Sequence, residues 1–219
     1  MNLSKYKAIF FDLDGTLIDS SRDLSVAVNA MATELSIVSP KRKQVANWIG
    51  NGTLKLVERV LENSTAKKPT QQELKYAFKL FSDAYRESIG EYSVLFPHTK
   101  ELLVKLLSNK VKIACITNKP FEFTDFLLQQ NFIRQFFSVV CAGDNVKHPK
   151  PDPWSLLYSA SQFKLDIQSC LMIGDSRHDI QAARSAGCDV LAVTYGYNHG
   201  EDIRNYNPDY VIDDFIELL

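Results

Sequence analysis

The apolar run Ala8-Ile9-Phe10-Phe11, followed at once by Asp12-Leu13-Asp14-Gly15-Thr16, constrains this chain more than any other segment. A run of bulky apolar residues this short reads as a strand buried on both faces, as in a parallel sheet between two layers of helices. Two carboxylates at its exit are costly unless they are paired, hydrogen-bonded or bound to a cation. The carboxyl end of a parallel strand is also where open α/β sheets place their ligands. Gly15 permits the tight backbone through which main-chain groups approach an anion. Asp and Gly are equally ordinary turn formers, so the segment alone reads either as a turn or as a site for phosphate and a divalent metal.

The pattern after Asp14 is helical. Ser20 or Ser21 can cap a helix whose apolar positions Leu24, Ala27, Val28, Met31 and Leu35 share one face. A second helix carries Leu54, Val57 and Leu61, and a third Leu74, Ala77, Phe78, Phe81 and Tyr85. From Phe96-Pro97 onward helices and strands alternate. Strands are expected at Val111 to Ile116, Ser138 to Cys141, Cys170 to Ile173, Val190 to Val193 and Tyr210 to Ile212. Between them lie helices through Leu102, Leu103, Leu106 and Leu107, near Phe121 to Gln130, from Pro153 through Phe163, and from Asp179 to Ala186, stopped at Gly187. This order predicts an α/β fold, a doubly wound, Rossmann-like parallel sheet with an inserted helical domain. The expected core comprises residues 1–17 and 91–219, and the insert 18–90. A hinge is expected at the two crossings near Ile18-Asp19-Ser20 and Ile89-Gly90-Glu91.

A formal net charge of −1 supplies no general attraction to nucleic acid or an anionic membrane. The polar start, Met1 to Lys7, and an apolar stretch that stops at Asp12 are too short for a signal-peptide core or a membrane span, so a cytoplasmic protein is expected. Cys115, Cys141, Cys170 and Cys188 lie in or beside apolar runs with no Cys-x-x-Cys pair, and read as buried free thiols.

Other strand exits carry the same kind of residue. Thr117-Asn118-Lys119-Pro120 offers a hydroxyl and an amide ahead of a helix, which suits either a helix cap or a phosphoryl group. Lys150 sits among Pro149, Pro151 and Pro153, a restraint that makes sense for a cation neutralising oxygens at close range. Lys119 and Lys147 read as solvated. Asp175 and Asp179 lie one helical turn apart, either as acids complementing a helix dipole or as oxygen ligands for Mg²⁺. Arg177 and His178 beside them read as surface residues.

Taken in order, Asp12-Leu13-Asp14-Gly15-Thr16, Thr117-Asn118, Lys150-Pro151-x-Pro153 and Gly174-Asp175-x-x-x-Asp179 resemble the four motifs of the haloacid dehalogenase superfamily, over essentially the whole chain. The helical insert resembles the cap of its phosphatases. A closer likeness, to the phosphoglycolate phosphatases, rests on Trp48-Ile49-Gly50-Asn51-Gly52, Gly143-Asp144-Asn145-Val146 and Thr194-Tyr195-Gly196-Tyr197-Asn198. His98 departs from the pattern, since relatives usually have Gly after Phe-Pro.

The resemblance implies a Mg²⁺-dependent phosphatase for a small phosphorylated metabolite such as 2-phosphoglycolate, acting as a monomer or homodimer without nucleic-acid or membrane partners. Asp12 would be the nucleophile and Asp14 the general acid and base. Gly15, Thr117, Asn118 and Lys150 would hold the phosphoryl oxygens, with Thr117 and Lys150 counted in the catalytic set. Asp12, the Asp14 backbone carbonyl, Asp175 and Asp179 would hold the metal. Gly50, Asn51 and Gly52 would set specificity by presenting backbone N–H groups to a carboxylate, although the same glycines also suit a plain turn between helices. The alternatives are a phosphatase for another sugar phosphate or a nucleotide, and a phosphomutase. Dehalogenase activity is disfavoured by the acid at Asp14.

Overall fold

The computed structural model describes residues 3–219; Met1 and Asn2, the first of the polar start, lie outside the described residues. Five parallel pairings build one six-stranded sheet from β1 (Ala8–Phe11), β4 (Lys112–Ile116), β5 (Val139–Cys141), β6 (Cys170–Gly174), β7 (Asp189–Val193) and β8 (Tyr210–Ile212), in the order β5-β4-β1-β6-β7-β8. β1 is central because every residue in it is apolar and fully buried. Successive side chains of a strand point to opposite faces. Ile9 and Phe11 therefore join one core with Leu102, Leu127 and Phe215, while Ala8 and Phe10 join a second with Leu156, Ala160 and Ile180.

The helices are α1 (Ser21–Glu34), α2 (Arg42–Trp48), α3 (Thr53–Thr65), α4 (Gln71–Ser88), α5 (Thr99–Ser108), α6 (Phe121–Gln130), α7 (Trp154–Phe163) and α8 (Arg177–Ala186). The four cysteines are free and buried, as expected. Among the described residues no helix is long and apolar enough to cross a membrane.

The insert has four helices rather than three. α2 escapes a periodicity reading because Val45 is its sole buried residue. In α3 the inward face is Leu56, Val57, Val60 and Leu61, and Leu54 points outward, 49% exposed. Leu107 of α5 is likewise exposed. α8 begins two residues earlier than the spacing suggests, since Ser176 forms a capping box with Asp179.

The two chain crossings are tied together. β2 (Ile18–Asp19) pairs antiparallel with β3 (Val94–Leu95), two-residue strands too short to leave a sequence signal. The fully buried carboxylate of Asp23 accepts hydrogen bonds from the backbone N–H groups of Gly90 (2.7 Å), Tyr92 (2.8 Å) and Ser93 (3.1 Å), and from the Ser93 hydroxyl. His98 lies just past this junction at φ 60°, the left-handed region that favours glycine, with its Nδ1 2.6 Å from Asp214 Oδ1.

Candidate active site

The sheet order reverses at β1, so the exits of β1, β4 and β6 meet at one edge. Asp12 follows β1, Thr117 follows β4 and Asp175 follows β6. The loop after β5 brings in Lys150. Its Nζ lies 2.7 Å from Asp12 Oδ1 and 2.6 Å from Asp179 Oδ1, all three side chains being buried.

Asp12, Asp175 and Asp179 place carboxylate oxygens within 4.8 Å of one another. Burial, joined by the charges of Asp179 and Asp14, pushes the Asp12 carboxyl up to about 7 against the opposing pull of Lys150. Burial and the charges of Asp12 and Asp179 drive Asp175 well above the carboxylate range. Lys150 is desolvated too, yet the two carboxylates on it hold its ammonium above its ordinary value. Three crowded acids share one ammonium, a charge deficit that a hard divalent cation would meet with oxygen ligands alone.

Thr16 Oγ1 donates to Asp175 Oδ1 at 3.0 Å, and the Tyr197 N–H donates to Oδ2 at 2.7 Å. Asp179 Oδ2 accepts from the Ser176 N–H at 3.0 Å and the Ser176 hydroxyl at 2.7 Å. Gly15, at φ 88°, leaves no room for a side chain, because a Cβ there would stand 2.3 Å from Asp175 Oδ2.

The Asp14 carboxylate stands outside this three-acid cluster. It accepts from the Ser20 hydroxyl and from Lys119 Nζ, 3.1 and 3.2 Å from its two oxygens. Lys119 is thus a correction to the sequence reading: it is buried, 2% exposed, because Asp14 neutralises it. Lys147 is exposed, as read.

Thr117 is buried, and its hydroxyl accepts from the Lys119 N–H at 3.2 Å. Asn118 spends its Nδ2 donors on the carbonyls of Gly50 (3.1 Å) and Lys150 (2.9 Å), while its buried Oδ1 has no partner. Its side-chain donors therefore join the insert loop to the lysine loop.

The Gly50-Asn51-Gly52 loop lies over the strand exits. Gly50 and Gly52 line a narrow cleft with Asp12, Asp14, Thr117, Asn118 and Lys119. Gly52 adopts φ 83°, and a Cβ there would come 3.0 Å from the Asn118 carbonyl oxygen. Arg59 donates to Asn51 Oδ1 at 2.7 Å, which fixes the amide so that Asn51 Nδ2 donates to His178 Nε2, also at 2.7 Å. His178 is buried rather than on the surface, because this loop covers it. The reading of the sequence also missed Ser20, Thr16 and Tyr197 as site residues. Tyr197 was visible only as part of a glycine-tyrosine tract.

A parallel sheet whose switch point gathers three carboxylates that could hold a metal ion, overlain by a helical insert, defines the class of α/β protein to which this chain belongs. The model of the haloacid dehalogenase-like hydrolases matches residues 9–193, and the chain belongs to that family. It is 39% identical to a phosphoglycolate phosphatase of Salmonella typhimurium, over 99% of this chain and 92% of the relative. It is 40% identical to one from Vibrio cholerae, over 99% and 97%. Among solved structures, a predicted phosphoglycolate phosphatase from Haemophilus somnus superposes with a TM-score of 0.93 at 35% identity, covering 98% of this chain and 96% of that one.

Proposed function

We propose that this protein is a Mg²⁺-dependent phosphatase that hydrolyses 2-phosphoglycolate to glycolate and phosphate through an aspartyl-phosphate on Asp12. The observation that carries the reading is the buried Asp12 carboxylate, held by Lys150 at 2.7 Å on the edge of a three-acid cluster and beneath the insert loop. The relatives named above supply the substrate. The setting is a cytoplasmic enzyme of residues 1–17 and 91–219 capped by residues 18–90, acting as a monomer or homodimer on a small metabolite.

Asp12 attacks phosphorus in line, forming a P–O bond to its carboxylate as the ester P–O bond breaks. Asp14 takes up a solvent proton as the substrate arrives and gives it to the departing alkoxide. In the second step Asp14 takes a proton from water as that oxygen bonds to phosphorus and the acyl-phosphate bond opens, returning Asp12. Lys150, the Thr117 hydroxyl and the backbone after β1 and β4 meet the charge on the transferring oxygens with fixed donors. Asp12, the Asp14 carbonyl and Asp175 would hold Mg²⁺, with Asp179 fixing Lys150 and supporting the site. The ion would supply charge neutralisation between nucleophile and phosphoryl group.

The test is kcat/KM of the purified protein with Mg²⁺ for 2-phosphoglycolate, glycerol phosphate, hexose phosphates and nucleotides. A preference for 2-phosphoglycolate is expected. Gly52→Val, which forces a side chain toward the Asn118 carbonyl, is expected to erode that preference more than it harms an aryl phosphate. A wild type that prefers hexose phosphates or nucleotides overturns the substrate assignment, and one that returns an isomer with little free phosphate makes the protein a mutase.

A further inference from the structure

The mechanism leaves one buried cation without a task. The Lys119 side chain is 1% exposed, and its ammonium lies between Asp14 and the ring of Tyr85 in α4, 4.9 Å from the ring centroid. Burying an ammonium costs several kcal/mol, so a site that keeps one has a use for its charge. Lys150, held by Asp12 and Asp179, serves the phosphoryl oxygens and does not line the cleft, whereas Lys119 does. The other walls near it include the apolar side chains of Leu24, Ile49 and Leu56. A carboxylate entering such a cleft would lose its water and require a cation in exchange.

Asp14 does not depend on Lys119 alone, because the Ser20 hydroxyl also holds it. Lys119 can therefore turn to a second anion while Asp14 stays in place. The face of Tyr85 keeps the ammonium stabilised as it does so.

We propose that Lys119 is a specificity-determining residue that binds a carboxylate on the leaving alcohol of the substrate. The inference rests on the 2-phosphoglycolate reading and deepens it: the carboxylate of that ester lies one carbon beyond the oxygen that Asp14 protonates, so the cation paired with Asp14 is the one it meets. Lys119 selects for esters that carry this charge, and the insert loop closes the cleft around them.

The experiment compares kcat/KM for 2-phosphoglycolate with that for ethyl phosphate, which carries a methyl group where that ester has its carboxylate, in the wild type, Lys119→Met and Lys119→Gln. Glutamine keeps a hydrogen bond to Asp14 and isolates the charge. The expected result is a wild-type preference for 2-phosphoglycolate that shrinks ~10–100-fold in both variants, the worth of a charge-assisted hydrogen bond. Lys119→Arg restores most of it. A support role for Asp14 alone would lower both substrates together and leave the ratio unchanged. A wild type with the preference and variants that retain it overturns this inference while the phosphoglycolate reading stands. A wild type without the preference overturns both.

Discussion

Asn51 of the insert donates to His178 Nε2 of the sheet domain across 2.7 Å, and its amide can face only one way because Arg59 occupies the other end. His178 immediately precedes Asp179, so this bond ties the Gly50-Asn51-Gly52 loop to the first turn of α8, which carries Asp179 of the acidic cluster. The position of the insert loop and that of Asp179 are in this way linked through one side-chain contact.

From that follows a coupled pair of variants. Asn51→Ala and His178→Ala are each expected to lower kcat/KM about 3–30-fold, chiefly through KM, and the double variant to be no worse than the poorer single one. Steady-state kinetics on the three proteins checks this. Multiplicative losses would mean that the two side chains act independently.

His199 offers a pH-dependent version of the same contact. Its Nδ1–H donates to the Asn47 carbonyl of α2 at 2.8 Å, while its buried Nε2 has no partner. Burial and the nearby guanidiniums of Arg59 and Arg177 hold its protonation below the ordinary 6.5, against the pull of Asn47 and Glu201. The unfolded chain therefore takes up the proton first as pH falls. Stability from this group is complete above about pH 6.5 and declines below it. The Tm of the wild type is expected to fall more steeply than that of His199→Gln between pH 7 and 5. Parallel curves would remove His199 from the account.

The carboxylate of Asp23 is a stability test of the junction. Asp23→Ala would strand the N–H groups of Gly90, Tyr92 and Ser93, three donors that lose a charged acceptor at once. A loss of ~3 kcal/mol is expected, read by urea unfolding. A change below ~1 kcal/mol would show that water satisfies these groups as well as Asp23 does.

Much of this was legible because buried strands write apolar runs and their exits write acids, as Phe10-Phe11-Asp12 and Ile173-Gly174-Asp175 do. The order of elements along the chain and the convergence of Asp12, Lys150, Asp175 and Asp179 follow from that grammar. What stayed hidden depends on contacts between distant segments. Lys119 looks like any loop lysine until Asp14 is brought against it, and His178 looks exposed until Asn51 covers it. α2 hides because a short helix that buries Val45 alone has no stripe to show. The β2–β3 ribbon hides because two residues cannot establish an alternation.

Metal removal tests the acidic cluster. Exhaustive chelation is expected to abolish turnover and Mg²⁺ to restore it, whereas Ca²⁺, with its longer and more variable coordination, is expected to inhibit by misplacing Asp12. Full activity after chelation would remove Asp175 and Asp179 from the metal assignment.

The central claim is that Asp12 carries the phosphoryl group, and trapping it is the most direct measurement. The enzyme is quenched with borohydride while it turns over 2-phosphoglycolate, and the peptide containing residue 12 is analysed by mass spectrometry. An acyl-phosphate at Asp12 is reduced to the alcohol, so substrate-dependent conversion of Asp12 to homoserine is predicted, absent without substrate and absent in Asp12→Asn. Rapid turnover with residue 12 unmodified, or an Asp12→Asn protein that keeps near-normal phosphate release, would contradict the account.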